Sequence, residues 1–221
     1  MVLSFTLPFN NVSGNLGSLD VGLPDPSQMS IFSSLSCFMA ELFLQNNDLS
    51  GHIPLSIITL KNAQSLHLNG NRLEGEGNDI FGIESSALSW YLGGARSLRS
   101  FSIGGNNLSS LDISGLPANS FIYLTKLDLH NCSLQGSFPA EFSRLSYLSY
   151  LNFADNELTG MLPSWAFDNM GMLVQMVGNN NNFNGSMPVP GYSTSLTSLS
   201  FGNNQLTGGV VWTQKYLQYV Q

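Results

Sequence analysis

One arrangement of apolar residues around a central polar residue returns eight times along this chain, and a chain built of such short repeats has few folds open to it. The clearest copy is LSYLNFADNELTGMLP, residues 148–163. There Leu148, Leu151 and Phe153 lead to Asn156, and Leu158, Gly160, Leu162 and Pro163 follow. The central positions are Asn10, Asn47, Asn71, Asn106, Cys132, Asn156, Asn181 and Asn204. Most lie 23 to 26 residues apart, with two longer intervals of 37 and 35.

The spacing has a direct physical reading. Leu151 and Phe153 are two residues apart, so they share one face of a short strand, and that face is buried. The residues between them point the other way. The central Asn ends the strand where the chain must turn, and its amide both donates and accepts, so it can satisfy backbone groups of its own coil and the next. The eight central residues therefore form a structural ladder, in which Cys132 is a small, weaker donor. Gly permits a sharp turn and Pro favours an extended return. Two copies depart from the pattern: Gly178 stands where an apolar residue is expected, and LTGGVV lacks the Pro. One unit cannot bury its own apolar face, so neighbours must stack. The chain reads as a single domain, 1–221, of about eight repeats, beginning and ending within a repeat.

Composition fits a packed solenoid. With 43% hydrophobic and only 10% charged residues the chain is not a disordered one. The net charge of -7, without a run of Lys or Arg, gives no electrostatic footprint for nucleic acid. No stretch of eighteen apolar residues exists, so no membrane segment is read within the sequence, and the apolar start has no basic leader. In the second long interval, residues 79–93 approximate helical spacing, with Asp79 and Gly93 placed as caps, and read as a longer helix on the convex side. Cys37 and Cys132 fall several strands apart and read as two buried thiols. His52, His67 and His130 do not form a catalytic or metal-binding arrangement, so the sequence calls for no enzyme, metal or cofactor.

These repeats resemble the leucine-rich repeat family. The tails LSGHIP and LTGMLP resemble the plant-type LxGxIP subclass, found in receptor-kinase ectodomains, receptor-like proteins and polygalacturonase inhibitors. The resemblance implies an α/β solenoid: a right-handed superhelix with a parallel sheet on its concave face and loops, short helices or extended segments on its convex face. It also implies an extracellular or cell-surface location, with anchoring, if any, supplied by a part outside this sequence. The function it implies is non-catalytic recognition in a receptor-like extracellular domain. The alternatives are a secreted inhibitor of a cell-wall enzyme, or a structural or adhesive surface repeat.

Stacked repeats expose an extended surface, so the outward strand positions are the candidate site. One column runs Thr6, Phe43, His67, Ser102, Asp128, Asn152, Val177, Ser200. The next runs Pro8, Gln45, Asn69, Gly104, His130, Ala154, Asn179, Gly202. Phe43, His67, Arg99, Lys126, Asp128, His130, Tyr150, Asn152 and Asp155 are the candidate binding residues, with the chemically varied cluster around Lys126, Asp128, His130, Tyr150 and Asp155 foremost. The expected partner is a protein, peptide or glycan. N-x-S/T triplets begin at Asn11, Asn107, Asn131 and Asn184. Asn11, Asn107 and Asn184 are the possible glycosylation sites, because Asn131 is expected to point toward the concave face.

Overall fold

The computed structural model describes residues 3–6, 8, 10–15, 39–53, 62–74, 97–109, 121–188 and 195–208. Cys37, Trp90, Trp212, the 79–93 helix and the terminal YLQYVQ lie outside the described residues. The described strands are β1 (Leu3–Thr6), β2 (Ser13–Asn15), β3 (Met39–Phe43), β4 (Asp48–Gly51), β5 (Ser65–His67), β6 (Arg72–Leu73), β7 (Ser100–Ser102), β8 (Lys126–Asp128), β9 (Tyr150–Asn152), β10 (Thr159–Met161), β11 (Gln175–Val177), β12 (Asn182–Ser186), β13 (Ser198–Ser200) and β14 (Gln205–Thr207).

Eight of them form one parallel sheet, in the order β1-β3-β5-β7-β8-β9-β11-β13, so each strand pairs with its counterpart in the neighbouring coils. The register keeps repeat positions in phase: Leu127 pairs with Leu151, and Leu151 with Met176. Inward residues therefore stack in columns. Leu42, Leu66, Phe101, Leu127, Leu151, Met176 and Leu199 form one such column, every member 6% exposed or less. This is the parallel-sheet solenoid that the repeat implied, and burying each such side chain stabilises by about 1.5–3 kcal/mol relative to exposure.

Beyond Asn10, Asn47, Asn71, Asn156, Asn181 and Asn204 the chain forms a second strand. These make two three-stranded parallel sheets, β2-β4-β6 and β10-β12-β14. Here the register is offset by two residues per coil: Thr159, three past Asn156, pairs with Asn182, one past Asn181. The glycine of the LxGxIP tail lies in this second strand with left-handed backbone, φ 77° at Gly51 and 81° at Gly160, a region L-residues enter at a cost. The returns carry short helices: a 3-10 turn, Ala140–Arg144, after extended Pro139, and α1, Trp165–Asp168, after Pro163. Trp165 packs at the core, its ring 5.6 Å from Phe138.

The asparagines join the coils. Asn156 Oδ1 accepts from the backbone N–H of Cys132 and Leu134 in the preceding coil, at 3.0 and 2.9 Å. Its Nδ2 donates to the carbonyls of Leu129 in that coil and Phe153 in its own, at 2.9 and 3.0 Å. Asn47, Asn71, Asn106, Asn181 and Asn204 make the same kinds of bond. Asn10 Nδ2 instead donates locally to Pro8 O.

Cys132 changes the pattern. Its thiol donates weakly to Ile103 O and His130 O at 3.5 and 3.4 Å, but offers no amide oxygen. The N–H of Leu108 therefore donates to the Cys132 backbone carbonyl, 2.9 Å away. Ser133, just beyond, takes a left-handed φ of 54°. Single bridges extend the short sheets to Asn107 and from Ser137, and among the described residues the two sheets do not meet between them.

Gly178 is a second departure with a physical cause. A Cβ there would lie 2.5 Å from the rings of both Phe153 and Phe201. Those rings, 5.8 Å apart edge to face, come from the two neighbouring coils and fill the space of the missing side chain.

Candidate functional site

The outward columns read from the sequence are built by strand pairing. Phe43, His67, Ser102, Asp128, Asn152, Val177 and Ser200 occupy successive in-register positions of the sheet. Beside them runs Glu41, Ser65, Ser100, Lys126, Tyr150, Gln175, Ser198. Two side chains facing outward from adjacent strands stand about 5 Å apart, within reach of one another.

The central coils use that proximity. The rings of Phe43 and His67 meet edge to face, 4.8 Å between centroids. His67 Nε2 shares a hydrogen bond with Ser100 Oγ at 3.0 Å. The Ser102 hydroxyl donates to Asp128 Oδ2 at 3.4 Å. Asp128 Oδ1 accepts from His130 Nδ1 at 2.8 Å, and since the carboxylate only accepts, the His130 proton sits on Nδ1. The imidazole of His130 lies over Gly104 of the preceding coil, where a Cβ would stand 2.2 Å from Nδ1. The Lys126 ammonium lies over the Tyr150 ring, 5.2 Å from its centroid. Such a contact is worth about 0.5–1 kcal/mol at an exposed site.

The electrostatics follow from burial and from this neighbourhood. Burial, helped by the charge of Lys126, lowers the His67 pKa below its ordinary 6.5, against the opposing pull of Asp128 and Glu41. Burial and Asp128 raise the Tyr150 phenol, while a hydrogen bond with Asn152 pulls the other way. Burial pushes the Cys132 thiol up to about 12, which keeps it protonated and unreactive. Among the described residues no group of three His, Cys, Asp or Glu side chains is placed to hold a metal.

A relationship to known proteins accompanies this geometry. The family model described as Leucine Rich Repeat matches residues 123–145. Receptor-like protein 18 of Arabidopsis thaliana is 33% identical over 211 residues, across 81% of this chain and 25% of that protein. Receptor-like protein 32 of the same plant is 31% identical over 170 residues, across 77% of this chain and 18% of that protein. The chain belongs to the leucine-rich repeat family. Its LxGxIP tails are those of the plant-type subclass, and it spans a quarter or less of the length of these two relatives. A solved plant peptide hormone receptor in complex with RGF2 superposes with a TM-score of 0.61 at 29% identity, over 82% of this chain and 26% of that one.

Within this leucine-rich repeat sheet, Lys126, Asp128, Tyr150 and Asn152 come together on the adjacent strands β8 and β9, with His130 two residues past β8, His67 two strands away on β5, and Phe43 against His67. Two candidates stand apart. Arg99 lies where its strand begins, its guanidinium 5.1 Å from the Tyr123 ring centroid. Asp155 sits in the turn after β9 and accepts from Asn180 Nδ2, while Asn180 Oδ1 accepts from Asn203 Nδ2. Asn131 is also in a turn, with φ 51°, and with Asn107, Arg72, Glu74 and Ser133 it lines a groove of about 420 Å³. The sequence turned it toward the concave face; it lies in the turn three residues past β8. Ser100, Tyr123 and Tyr147 were not singled out from the sequence. Aligning the positions seven to nine residues before each central residue would have found the two tyrosines.

Proposed function

We propose that the chain is part of a non-catalytic recognition module, in a receptor-like extracellular domain of the plant type, that binds a peptide or protein on the concave sheet. The observation that carries this reading is the constrained cluster on β5, β7, β8 and β9. His67, Lys126, Asp128, His130 and Tyr150 are each held by a neighbour in the sheet, so little side-chain entropy is lost on binding. The set offers a phenol ring, a cation, a carboxylate and two imidazoles, a mixture suited to a polypeptide. Tyrosine is among the residues that dominate binding energy in protein interfaces. The relatedness to receptor-like proteins and the peptide hormone bound by the solved receptor of like fold support the same reading.

The test is a display selection. The full 221-residue chain is immobilised and random twelve-residue peptides are selected against it, then measured against the variant carrying Tyr150→Ala and Asp128→Asn. The expected result is an affinity loss of at least about tenfold, with an unchanged circular-dichroism spectrum. Peptides that bind the folded variant as tightly as the parent would remove the concave face as the site.

A further inference from the structure

A second surface runs along the edge where the strands of the large sheet begin. Its register is fixed by backbone hydrogen bonds: Thr125 N–H donates to Arg99 O, Ser149 to Thr125 O, Val174 to Ser149 O and Thr197 to Val174 O. Two residues before this row, the equivalent positions among the described residues read Asn62, Ser97, Tyr123, Tyr147, Met172 and Ser195. Three large apolar side chains thus occupy consecutive coils, with small polar residues on either side. All three are exposed, Tyr147 and Met172 by 49% and 55%, and Val174 beside them is exposed as well. Asn62, Ser97 and Ser195 hold the equivalent positions of other described coils without an apolar residue, so the stacking of those coils does not require one.

The strip is organised. The rings of Tyr123 and Tyr147 lie 5.6 Å apart, and Arg99 extends the row over the outer face of Tyr123. From the Arg99 coil to the Met172 coil is three steps of about 4.8 Å, or roughly 14 Å, the length of four to five residues of extended chain at about 3.3 Å each. An apolar strip with a polar rim marks an interaction site more often than chance exposure does.

Charge identifies the partner. The whole chain carries a net -7. Yet the segments that build this edge, residues 97–99, 121–126, 144–150 and 170–175, contain Arg99, Lys126 and Arg144 and not one carboxylate. We propose that this edge docks an extended, acidic segment of a separate protein, whose apolar side chains lie on Tyr123, Tyr147 and Met172 and whose carboxylates face Arg99, Lys126 and Arg144. The surface is distinct from the concave cluster, and only Lys126 belongs to both.

The probe is a fluorescein-labelled heptapeptide alternating Glu with Leu and Phe, compared with its counterpart carrying Lys for every Glu. Anisotropy is measured with the full chain, with Tyr147→Ser, with Met172→Ser, and with Asp128→Asn as the concave-face control. The expected result is that the acidic peptide binds at least about tenfold more tightly than the basic one. Tyr147→Ser and Met172→Ser each weaken it at least about fivefold. Asp128→Asn leaves it unchanged. Both serine replacements are at exposed positions, and an unaltered urea midpoint confirms that each variant is folded. Equal binding of the two peptides, no binding of the acidic one, or full affinity in the folded serine variants overturns the proposal. So does a dimer of the parent chain in sedimentation equilibrium that Tyr147→Ser dissolves, because the occupant would then be a second copy. A concave-face selection that fails while this edge binds sinks the earlier reading and leaves this one standing, and the converse holds.

Discussion

Replacing Asn156 by Ala tests the idea that the central asparagines hold successive coils together. In the folded chain Asn156 is 7% exposed, and its amide serves two donors and three acceptors of the backbone at 2.9–3.1 Å. Alanine removes the acceptor for the N–H groups of Cys132 and Leu134, both in a dry interior. A buried group left without its partner costs about 1–3 kcal/mol, so two stranded donors amount to roughly 2–6 kcal/mol. The carbonyls lose less, because each has a second lone pair. Rearrangement and water entry reduce the total, and about 2–4 kcal/mol is the expected loss. A solenoid is stabilised chiefly by its own coils and their nearest-neighbour interfaces, so the loss should fall on coils 121–138 and 145–163 first. Amide hydrogen exchange read residue by residue is the suitable assay, since a single unfolding midpoint averages over an array that opens in parts. Cys132 and Leu134 should exchange about thirtyfold faster or more, with a smaller effect in the coils around Asn71 and Asn204. A loss below about 0.5 kcal/mol, or faster exchange spread evenly over all coils, would refute the reasoning.

Three further predictions rest on single features. Gly178→Ala places a Cβ 2.5 Å from two phenyl rings, so overpacking should destabilise the chain by about 1–3 kcal/mol, measured by urea denaturation. Cys132, with its thiol pushed up to about 12 by burial, should resist iodoacetamide at pH 8 in the native chain and react on unfolding, as read by mass spectrometry of its peptide. Because His67 titrates below its ordinary 6.5 when folded, the unfolded chain binds more protons in that window. Its contribution to stability is complete above pH 6.5 and falls as pH drops from there through the folded value; His67→Gln should flatten this part of the stability profile.

Much of this fold was legible in the sequence because its rules are local and recur. The two-residue spacing of Leu151 and Phe153 gave the inward face, the 23 to 26 residue period gave the stacking, and the Gly of the tail gave a sharp turn, which the structure forms with left-handed backbone. The outward columns followed for the same reason, since a parallel in-register sheet turns repeat position directly into a row on its surface. The unread features come from contacts between coils. Gly178 looked like a weak copy, yet it is required by Phe153 and Phe201, residues 25 and 23 positions away in sequence. Cys132 looked like a tolerable substitute, and its thiol does supply a donor. The lost amide oxygen shows only in the backbone around Leu108 and Ser133. Arg99 and Asp155 were grouped with the concave cluster because they neighbour its strands in sequence, whereas each lies beyond a strand end and has its own contacts there. The Tyr123–Tyr147–Met172 strip escaped notice because those positions precede the strand and vary between coils, being polar at Asn62, Ser97 and Ser195.

The most direct measurement of the central claim is a histidine footprint. A peptide selected against the chain is bound, and diethyl pyrocarbonate modification of His52, His67 and His130 is followed by mass spectrometry with and without it. His67 and His130 lie on the sheet cluster, while His52 lies in a return segment after β4 and serves as the internal reference. Recognition on the concave face predicts that the peptide slows modification of His67 and His130 and leaves His52 unchanged. Protection of His52 alone, or of none of the three at saturating peptide, would contradict it.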